Sequence, residues 1–226
     1  MISLVMLSWN RVDNVVNFIN YYSSYKLIDE IIVFNNNNKF DLRNIQNNKL
    51  ILIESSKDMG LYTRFAAAGL ANNECIMHCD DDLFIPEDTV NRLYEYWSQS
   101  PQLCHGTQGR FVINDYNMNE VFGEVQIVLT RCMLVSRANC LSAFKFALNF
   151  EDLYSEPKGN GEDIMLSFIS ISNSGKLNRS YNLPFYDCID KNNDDGLPIA
   201  ICRRWKKHIE HRSIVVKRCK SLLGID

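Results

Sequence analysis

Four short apolar runs, separated by segments of helical or turn composition, shape the first part of the chain. They cover residues 2–8, 30–34, 49–53 and 74–79. The segment after the first run predicts a helix capped by Asp13, and three consecutive alanines favour a second helix over 61–70. Apolar runs of this length that alternate with helices are typical of parallel β-sheets covered by helices. Residues 1–100 are therefore predicted to form a nucleotide-binding half of Rossmann type, although they contain no Gly-x-Gly-x-x-Gly motif.

The pattern changes after Pro101. Strands are predicted over 103–113, 124–129 and 131–136, and helices over 86–97, 141–150 and 162–172. Loops are predicted at 151–161 and at 187–198, the second long enough to act as a lid. Residues 201–226 predict a basic amphipathic helix with an apolar side formed by Trp205, Ile209, Val216, Cys219 and Leu223. Together the two halves, 1–100 and 101–200, and this last helix predict one α/β domain with a mixed sheet flanked by helices.

Charge is distributed unevenly along the chain. The net charge is −3, but residues 203–220 hold eight basic side chains and one acid, a local charge of +7, so the remainder carries −10. Such a segment attracts phosphates or an anionic membrane surface, or folds back on the acidic body. Nucleic acid is a poor fit as a partner because the positive charge is confined to one helix.

The cysteines and the amino terminus indicate the compartment. Eight cysteines are scattered without a Cys-x-x-Cys pair, which argues against a zinc knuckle and favours free thiols in a reducing compartment. The first residues are apolar without a basic segment before them, which is typical of a first strand and not of a signal peptide. We therefore expect a cytoplasmic protein.

Three consecutive aspartates, Asp80, Asp81 and Asp82, follow the fourth apolar run directly. Open α/β sheets bind their ligands at the carboxyl ends of strands, and three adjacent carboxylates repel one another unless a cation or basic groups offset them. An ordinary loop before the helix near Pro86 is the alternative. Carboxylate oxygens suit Mg²⁺ or Mn²⁺, and a cation bridging them to a diphosphate is what glycosyl transfer from a sugar nucleotide requires.

Several motifs follow one another along the chain. They are Ser8-Trp9-Asn10-Arg11, Val33-Phe34-Asn35-Asn36, Arg64 sixteen residues before the aspartates, the aspartates themselves, Trp97 with Pro101 and Gly106, and the stretch from Glu162 to Phe168. Taken together, these motifs resemble those of the exostosin-type glycosyltransferases of family 64, which have the GT-A fold. The resemblance covers about residues 2–176, and Met59 and Gly161 depart from it, Gly161 standing where the family has a disulfide-forming cysteine.

The resemblance implies a metal-dependent enzyme that moves a sugar from a UDP-sugar to a glycan or lipid-linked acceptor, with retention of configuration. It implies Mn²⁺ or Mg²⁺ on Asp82 and Asp80, Asp82 being the more direct ligand. Residues 101–200 would then be the acceptor-side half. The residues expected on the nucleotide side are Arg11, Asn35, Asn36, Arg64, Asp80 and Asp81. Surface charges and a plain asparagine turn are the alternatives for the arginines and asparagines.

Glu162 and Asp163 are the candidate catalytic pair, with Asp163 the carboxylate nearest the anomeric carbon. As a general base it would serve an inverting reaction; in a retaining reaction it would orient the acceptor or stabilise an oxocarbenium-like centre. The alternative is that both acids only complement a helix dipole. His208 or His211 could complete a metal shell, although a histidine in a basic helix is more often solvated.

Other functions share parts of this pattern. A family 2 type inverting transferase has the same fold and aspartates, and a non-catalytic carbohydrate-binding module could use the basic tail. A nucleotidyltransferase would need a glycine-rich loop after the first strand, where Ser8 to Arg11 stand instead. Peripheral membrane contact through the basic helix is a further expectation.

Overall fold

A computed structural model of the chain describes residues 1–37, 41–153, 160–188, 202 and 207–225. Its strands are β1 (Ile2–Ser8), β2 (Ile28–Asn35), β3 (Leu50–Glu54), β4 (Cys75–Cys79), β5 (Leu83–Phe84), β6 (His105–Gly106), β7 (Gly109–Arg110), β8 (Gly123–Val125), β9 (Ile127–Val128), β10 (Cys132–Ser136), β11 (Asn178–Ser180) and β12 (Tyr186–Asp187). Its helices are α1 (Val12–Ser23), α2 (Thr63–Ala68), α3 (Glu87–Gln99), α4 (Arg137–Ala147), a 3-10 helix (Leu148–Leu153), α5 (Glu162–Ser174) and α6 (His208–Leu223).

An eight-stranded mixed sheet lies at the centre, in the order β3-β2-β1-β4-β10-β6-β11-β8. The first four strands are parallel, and β10 runs antiparallel to β4 and to β6. The predicted Rossmann-like mixed sheet flanked by helices is confirmed. The sheet continues across residue 100, and the division into 1–100, 101–200 and 201–226 stays a prediction.

The two faces of the sheet bury alternate residues of the same strands, because successive side chains in a strand point to opposite sides. Leu4 and Met6 of β1 pack with α1 and α3, whereas Val5 packs with α2, α4 and α5. A third apolar cluster joins α5 and α6 to Val112 and Tyr116. The four parallel strands are nearly continuous apolar runs for this reason, which is why the sequence predicted them well.

Several predicted elements need correction. Asp13 does not cap α1, because the helix begins at Val12. Asp13 lies in the first turn, where its negative charge interacts favourably with the helix dipole. The predicted strand over 103–113 is two short strands in different sheets, since Gly106 pairs with Met133 and Gly109 with Val128.

Two predicted helices also have different limits. The helix expected over 141–150 begins earlier, at Arg137, because the Ser136 hydroxyl accepts a hydrogen bond from the amide of Asn139 and caps it. The helix expected over 61–70 covers only Thr63–Ala68.

Parts of three predictions lie outside the described residues. These are positions 154–159 of the first loop, 189–198 of the proposed lid, and the basic tail at Arg203, Arg204, Trp205 and Lys206. The described part of the tail, α6, is helical as predicted and buries Val216 and Cys219. Among the described helices, none combines the length and apolar composition of a membrane-spanning segment.

One tyrosine fixes the chain just beyond the three aspartates. The hydroxyl of Tyr22, in α1, donates to the carbonyl of Leu83 at 3.0 Å and accepts from the amide of Ile85 at 3.0 Å. Tyr22 is fully buried against the sheet. A buried hydroxyl with both roles satisfied holds its partners in place, so the segment after β4 leaves the sheet in a fixed direction.

Candidate active site

The carboxyl ends of three parallel strands bring the predicted nucleotide-side residues together. Ser8 of β1 lies beside Asn35 of β2, and Met6 of β1 lies beside Cys79 of β4. The chain after each strand therefore leaves the same edge of the sheet. Arg11, Asn35, Asn36 and the three aspartates all belong to these segments.

The three aspartates differ in burial and in the arginines that they contact. Asp81 is turned inward, and Arg11 donates to its Oδ1 at 2.6 Å. Side-chain exposure is 31 % for Asp80 and 19 % for Asp82 but 10 % for Asp81. Burial raises the pKa of Asp81 to about 7, and the Arg11 guanidinium opposes that rise. Asp80 and Asp82 are thus the aspartates open to a ligand, and the expected contact of Asp81 with nucleotide stays a prediction.

Asp82 lies between two guanidinium groups. Its Oδ2 is 3.4 Å from Nη2 of Arg11, and its Oδ1 is 3.5 Å from Nη2 of Arg131. Burial and the neighbouring Asp80 nevertheless raise the pKa of Asp82. Arg131 also binds Asp187, and its carbonyl accepts from the amide of Asp80 at 3.3 Å. Sequence reasoning did not find Arg131, because its position opposite the aspartates depends on the antiparallel pairing of β10 with β4.

Arg64 joins the aspartates to the candidate catalytic pair. Its Nη2 donates to Asp80 at 3.1 Å, and its Nε is 3.6 Å from Oε1 of Glu162. The side chain is 5 % exposed. Burial opposes its charge, but Asp80 and Glu162 outweigh burial and raise its pKa. Its Nη1 has no hydrogen-bond partner among the described residues. A buried guanidinium with an unused donor is suited to an anionic ligand.

Glu162 is a buried acid at the start of α5. It accepts a hydrogen bond from the Thr130 hydroxyl at 3.1 Å. Burial raises the pKa of Glu162 to about 7, while Arg64 opposes and Asp163 adds to the rise. Glycine is needed directly before it, because Gly161 has φ 105° and its Cα faces Val215 of α6.

Asp163, beside Glu162, has both oxygens engaged. Nη2 of Arg212 donates to Oδ2 at 2.6 Å, and the amide of Ile164 donates to Oδ1 at 2.9 Å. The guanidinium of Arg212 also lies 4.4 Å from the ring centroid of Tyr116. In the sequence Arg212 is only one charge of the basic tail, and no local signal distinguishes it from Lys217, which is exposed on the same helix.

The two asparagines after β2 have different surroundings. Asn36 binds the loop at 58–60: its Nδ2 donates to Asp58 at 2.8 Å, and its Oδ1 accepts from the amide of Met59 at 2.8 Å. Asn35 is 1 % exposed and reaches Glu54 at 3.5 Å. Asn36 therefore holds the loop at 58–60 against the end of β2, and contact with nucleotide stays a prediction for both asparagines.

The two histidines of α6 contact Asn160. The Nδ2 amide of Asn160 donates to Nδ1 of His208 at 3.2 Å, and Nε2 of His211 lies 2.9 Å from the Asn160 carbonyl. Burial, with the nearby Arg212, lowers the pKa of His208 to about 4, so its ring is neutral at pH 7. Within the described ranges, no three His, Cys, Asp or Glu side chains are grouped as a metal centre. Ligation of a metal by either histidine stays a prediction.

The donor set at the strand ends fits a hard divalent cation that is completed by a substrate. Asp80 and Asp82 offer carboxylate oxygens at the partly exposed edge, and two protein carboxylates with substrate phosphates are a common Mg²⁺ arrangement. Each carboxylate is paired with an arginine in this structure. A cation bound there would take over part of the charge compensation that the arginines provide.

A family model describes the same chain from end to end. The model of the glycosyl transferase family 64 domain matches residues 2–225. The chain belongs to glycosyltransferase family 64. It is therefore a glycosyltransferase domain, and the exostosin-type resemblance of its motifs is confirmed.

Relatives within this family are distant and longer. Glucosamine inositolphosphorylceramide transferase 1 of Arabidopsis thaliana is 25 % identical over 95 % of the chain and 29 % of its own length. Human and bovine exostosin-2 are each 23 % identical over 97 % of the chain and 32 % of their own length. The family 64 chain thus spans about a third of the curated relatives it matches.

The fold of the family 64 chain is also found in solved structures. The crystal structure of S. aureus TarS 1–349 aligns with 83 % of the family 64 chain and covers 60 % of the TarS chain, with a TM-score of 0.56 and 15 % identity. A second TarS structure aligns with 84 % of the family 64 chain and covers 37 % of the TarS chain, again with a TM-score of 0.56. The fold is the GT-A glycosyltransferase fold.

Proposed function

We propose that this family 64 chain transfers a sugar from a UDP-sugar to a glycan or lipid-linked acceptor in a Mn²⁺- or Mg²⁺-dependent reaction that retains configuration. The observation that carries the proposal is the position of Arg64. This buried guanidinium contacts Asp80 on one side and Glu162 on the other, and its Nη1 has no hydrogen-bond partner in the described part of the chain. The aspartates after β4 and the acidic pair Glu162 and Asp163 thus lie close together, as the donor-binding and transfer groups of one enzyme need to.

On the donor side, Arg11 and Arg64 are the groups that would bind the diphosphate. Both guanidiniums are nearly buried and lie at the strand ends where open α/β sheets bind ligands. Asp82 and Asp80 would hold the cation. A bound Mn²⁺ or Mg²⁺ supplies positive charge against the negative charge that builds on the diphosphate as its bond to the sugar breaks.

On the transfer side, the contacts of Asp163 support the retaining alternative. Both of its oxygens already accept hydrogen bonds, one from the Arg212 guanidinium and one from the Ile164 amide, which leaves little room for a further bond from an acceptor hydroxyl. Its negative charge is still available to stabilise a positively charged anomeric centre. In such a reaction the bond from the anomeric carbon to UDP breaks, a bond to the acceptor oxygen forms on the same face, and the proton of the acceptor hydroxyl passes to the departing diphosphate.

An inverting reaction is the second candidate, because one observation favours it. Burial raises the pKa of Glu162 to about 7, which suits a general base at neutral pH. Glu162 would then remove the proton of the acceptor hydroxyl as that oxygen attacks. Proton NMR of the newly formed anomeric linkage distinguishes the two candidates: the donor configuration is kept in the retaining reaction and reversed in the inverting one.

The acceptor and the location are further parts of the proposal. Because one relative is by name a glucosamine inositolphosphorylceramide transferase, a lipid-linked acceptor is the favoured class. A reducing, cytoplasmic compartment is part of the proposal, because the eight cysteines of the sequence are scattered without a Cys-x-x-Cys pair. Peripheral membrane contact through the basic C-terminal helix would bring the domain to such an acceptor.

Calorimetry with UDP tests the donor site directly. Wild-type protein is expected to bind UDP more tightly with Mn²⁺ than without it, and Arg64→Met is expected to weaken binding about tenfold or more. Arg43→Met is the matched control, because Arg43 is also paired with an acid but is 72 % exposed. If Mn²⁺ leaves UDP affinity unchanged, the non-catalytic carbohydrate-binding alternative replaces this proposal.

A further inference from the structure

Arg131 is the most accessible of the four arginines described in the candidate active site. Its side chain is 27 % exposed, whereas those of Arg11, Arg64 and Arg212 are only 5 to 7 % exposed. It lies directly before β10, and the pairing of β10 with β4 places it beside Asp82. A ligand that enters the donor side of the site can therefore reach this guanidinium without a rearrangement of the core.

Three side chains hold the Arg131 guanidinium in this position. Its Nη1 donates to Oε1 of Gln108 at 3.3 Å. Its Nη2 is shared between Asp82, whose Oδ1 is 3.5 Å away, and Asp187, which is closer. The backbone is fixed as well, because the Arg131 carbonyl accepts from the amide of Asp80 at 3.3 Å. Arg131 thus contacts Asp82, the expected metal ligand, but has a second acid as a partner.

Asp187 would keep Arg131 in place when a cation occupies Asp82. Asp187 lies in β12 opposite Leu83, the residue after Asp82, and the amide of Cys188 donates to the Asp82 carbonyl at 2.8 Å. These backbone contacts do not involve the Asp82 carboxylate, so they persist when that carboxylate binds a metal. The charge of Arg131 would then remain beside the cation, and like charges at short distance repel each other.

The same charge has the opposite effect on a diphosphate. A guanidinium donates paired hydrogen bonds to phosphate oxygens, and such charge-assisted bonds are among the stronger hydrogen bonds in proteins. The buried Arg11 and Arg64 already donate to aspartates, whereas Arg131 is partly exposed. A positive charge fixed at this point therefore favours a diphosphate and opposes a free metal ion.

We infer that Arg131 is a fixed cation of the donor site, which binds the diphosphate of the nucleotide and weakens metal binding at Asp82 while the nucleotide is absent. The inference deepens the proposed function and rests on it. Because the diphosphate is negatively charged, it attracts both Arg131 and the metal, and the two can occupy the site together once UDP is bound. The site would therefore take up its metal mainly together with the nucleotide.

Two titrations of one variant test the inference without any measurement of transfer. Arg131→Met removes the charge and keeps an unbranched apolar side chain. We expect its affinity for UDP, measured by calorimetry in the presence of EDTA, to fall about tenfold. We expect its affinity for Mn²⁺ without UDP, measured by the electron paramagnetic resonance of free Mn²⁺, to rise about tenfold. Opposite shifts distinguish a charge effect from damage to the fold, because partial unfolding would weaken the binding of both ligands.

Two further variants serve as controls. Arg131→Lys keeps a positive charge and should bring both affinities back towards wild type. Arg137→Met is the matched control, because Arg137 is also partly exposed and paired with an acid, Glu74, but lies at the opposite end of β10. It should leave both affinities unchanged.

Three results would overturn the inference. They are an Arg131→Met protein that binds Mn²⁺ no more tightly than wild type, the same variant binding UDP as tightly as wild type in EDTA, and equal changes in Arg137→Met. The proposed function is judged separately, on wild type alone. If Mn²⁺ does not strengthen UDP binding by wild type, the proposed function fails, whatever the comparison between the variants gives.

Discussion

Arg212 donates a hydrogen bond of 2.6 Å to Asp163 from a position 49 residues later in the chain, and each side chain is only 6 % exposed. This buried ion pair ties the C-terminal helix to the start of α5. Its energetic role differs from that of a surface pair, because removing one partner leaves the other as an uncompensated buried charge.

Arg212→Met is expected to lower the free energy of unfolding by about 3 to 5 kcal/mol, since Asp163 would remain buried without its cation. Urea denaturation measures the change. Arg218→Met is the control: Arg218 lies on the same helix and also binds an aspartate, Asp152, but at the exposed surface. Equal losses of stability in both variants would contradict the assigned importance of burial.

Asp163→Asn is expected to abolish sugar transfer and leave UDP binding intact, because Asp163 lies beside the transfer site and not among the aspartates of the donor site. Calorimetry with UDP and a product assay measure the two properties separately. Asp152→Asn, which changes the exposed aspartate paired with the same helix, should keep both. Near wild-type turnover in Asp163→Asn would rule out the assigned role.

Asp82→Asn is expected to remove most of the effect of Mn²⁺ on UDP affinity, a loss of about tenfold or more, because a neutral amide is a weaker ligand for a hard cation. Treatment of wild type with EDTA should give the same affinity as the variant. Asp41→Asn, at an exposed ion pair, is the control. An Asp82→Asn protein that still responds fully to Mn²⁺ would show that the cation binds elsewhere.

Glu162 should make stability depend on pH near neutrality. Burial raises its pKa from 4.5 to about 7, so between these values the folded state binds more protons than the unfolded state. Stability is therefore expected to fall as pH rises through this range, by about 1 to 3 kcal/mol. Denaturation of Glu162→Gln should show a flatter profile over the same range; an unchanged profile would assign the dependence to other groups.

Gly161→Ala is expected to lower the free energy of unfolding by about 1 to 3 kcal/mol and to reduce transfer. Its φ of 105° is unfavourable for any side chain, and a Cβ would lie 3.1 Å from Val215. Gly175→Ala is the control, because Gly175 also has a positive φ but has no atom within 4 Å of an added Cβ. If both variants lose the same stability, contact with Val215 contributes nothing.

The strands after residue 100 could not be predicted correctly from hydrophobic patterns in the sequence. Residues 103–113 look like one strand, yet Gly106 and Gly109 belong to different sheets. Strands of two residues are too short to have a hydrophobic period, and their pairing depends on partners far along the chain. Phe111 and Ile113 lie in the same predicted strand but are 39 % and 80 % exposed, which only the three-dimensional structure could show.

The sequence by itself determined the four parallel strands, the aspartates at the end of β4 and the acidic pair at the start of α5. These features follow from local patterns. The patterns are apolar runs, three adjacent carboxylates, and two acidic residues followed by apolar residues at helical spacing. Only the tertiary structure decided that Asp81 turns inward to Arg11 and that Arg131 and Arg212 join the site. Ion pairs between residues tens of positions apart depend on how the strands and helices pack. That packing cannot be inferred from the spacing of the residues in the sequence.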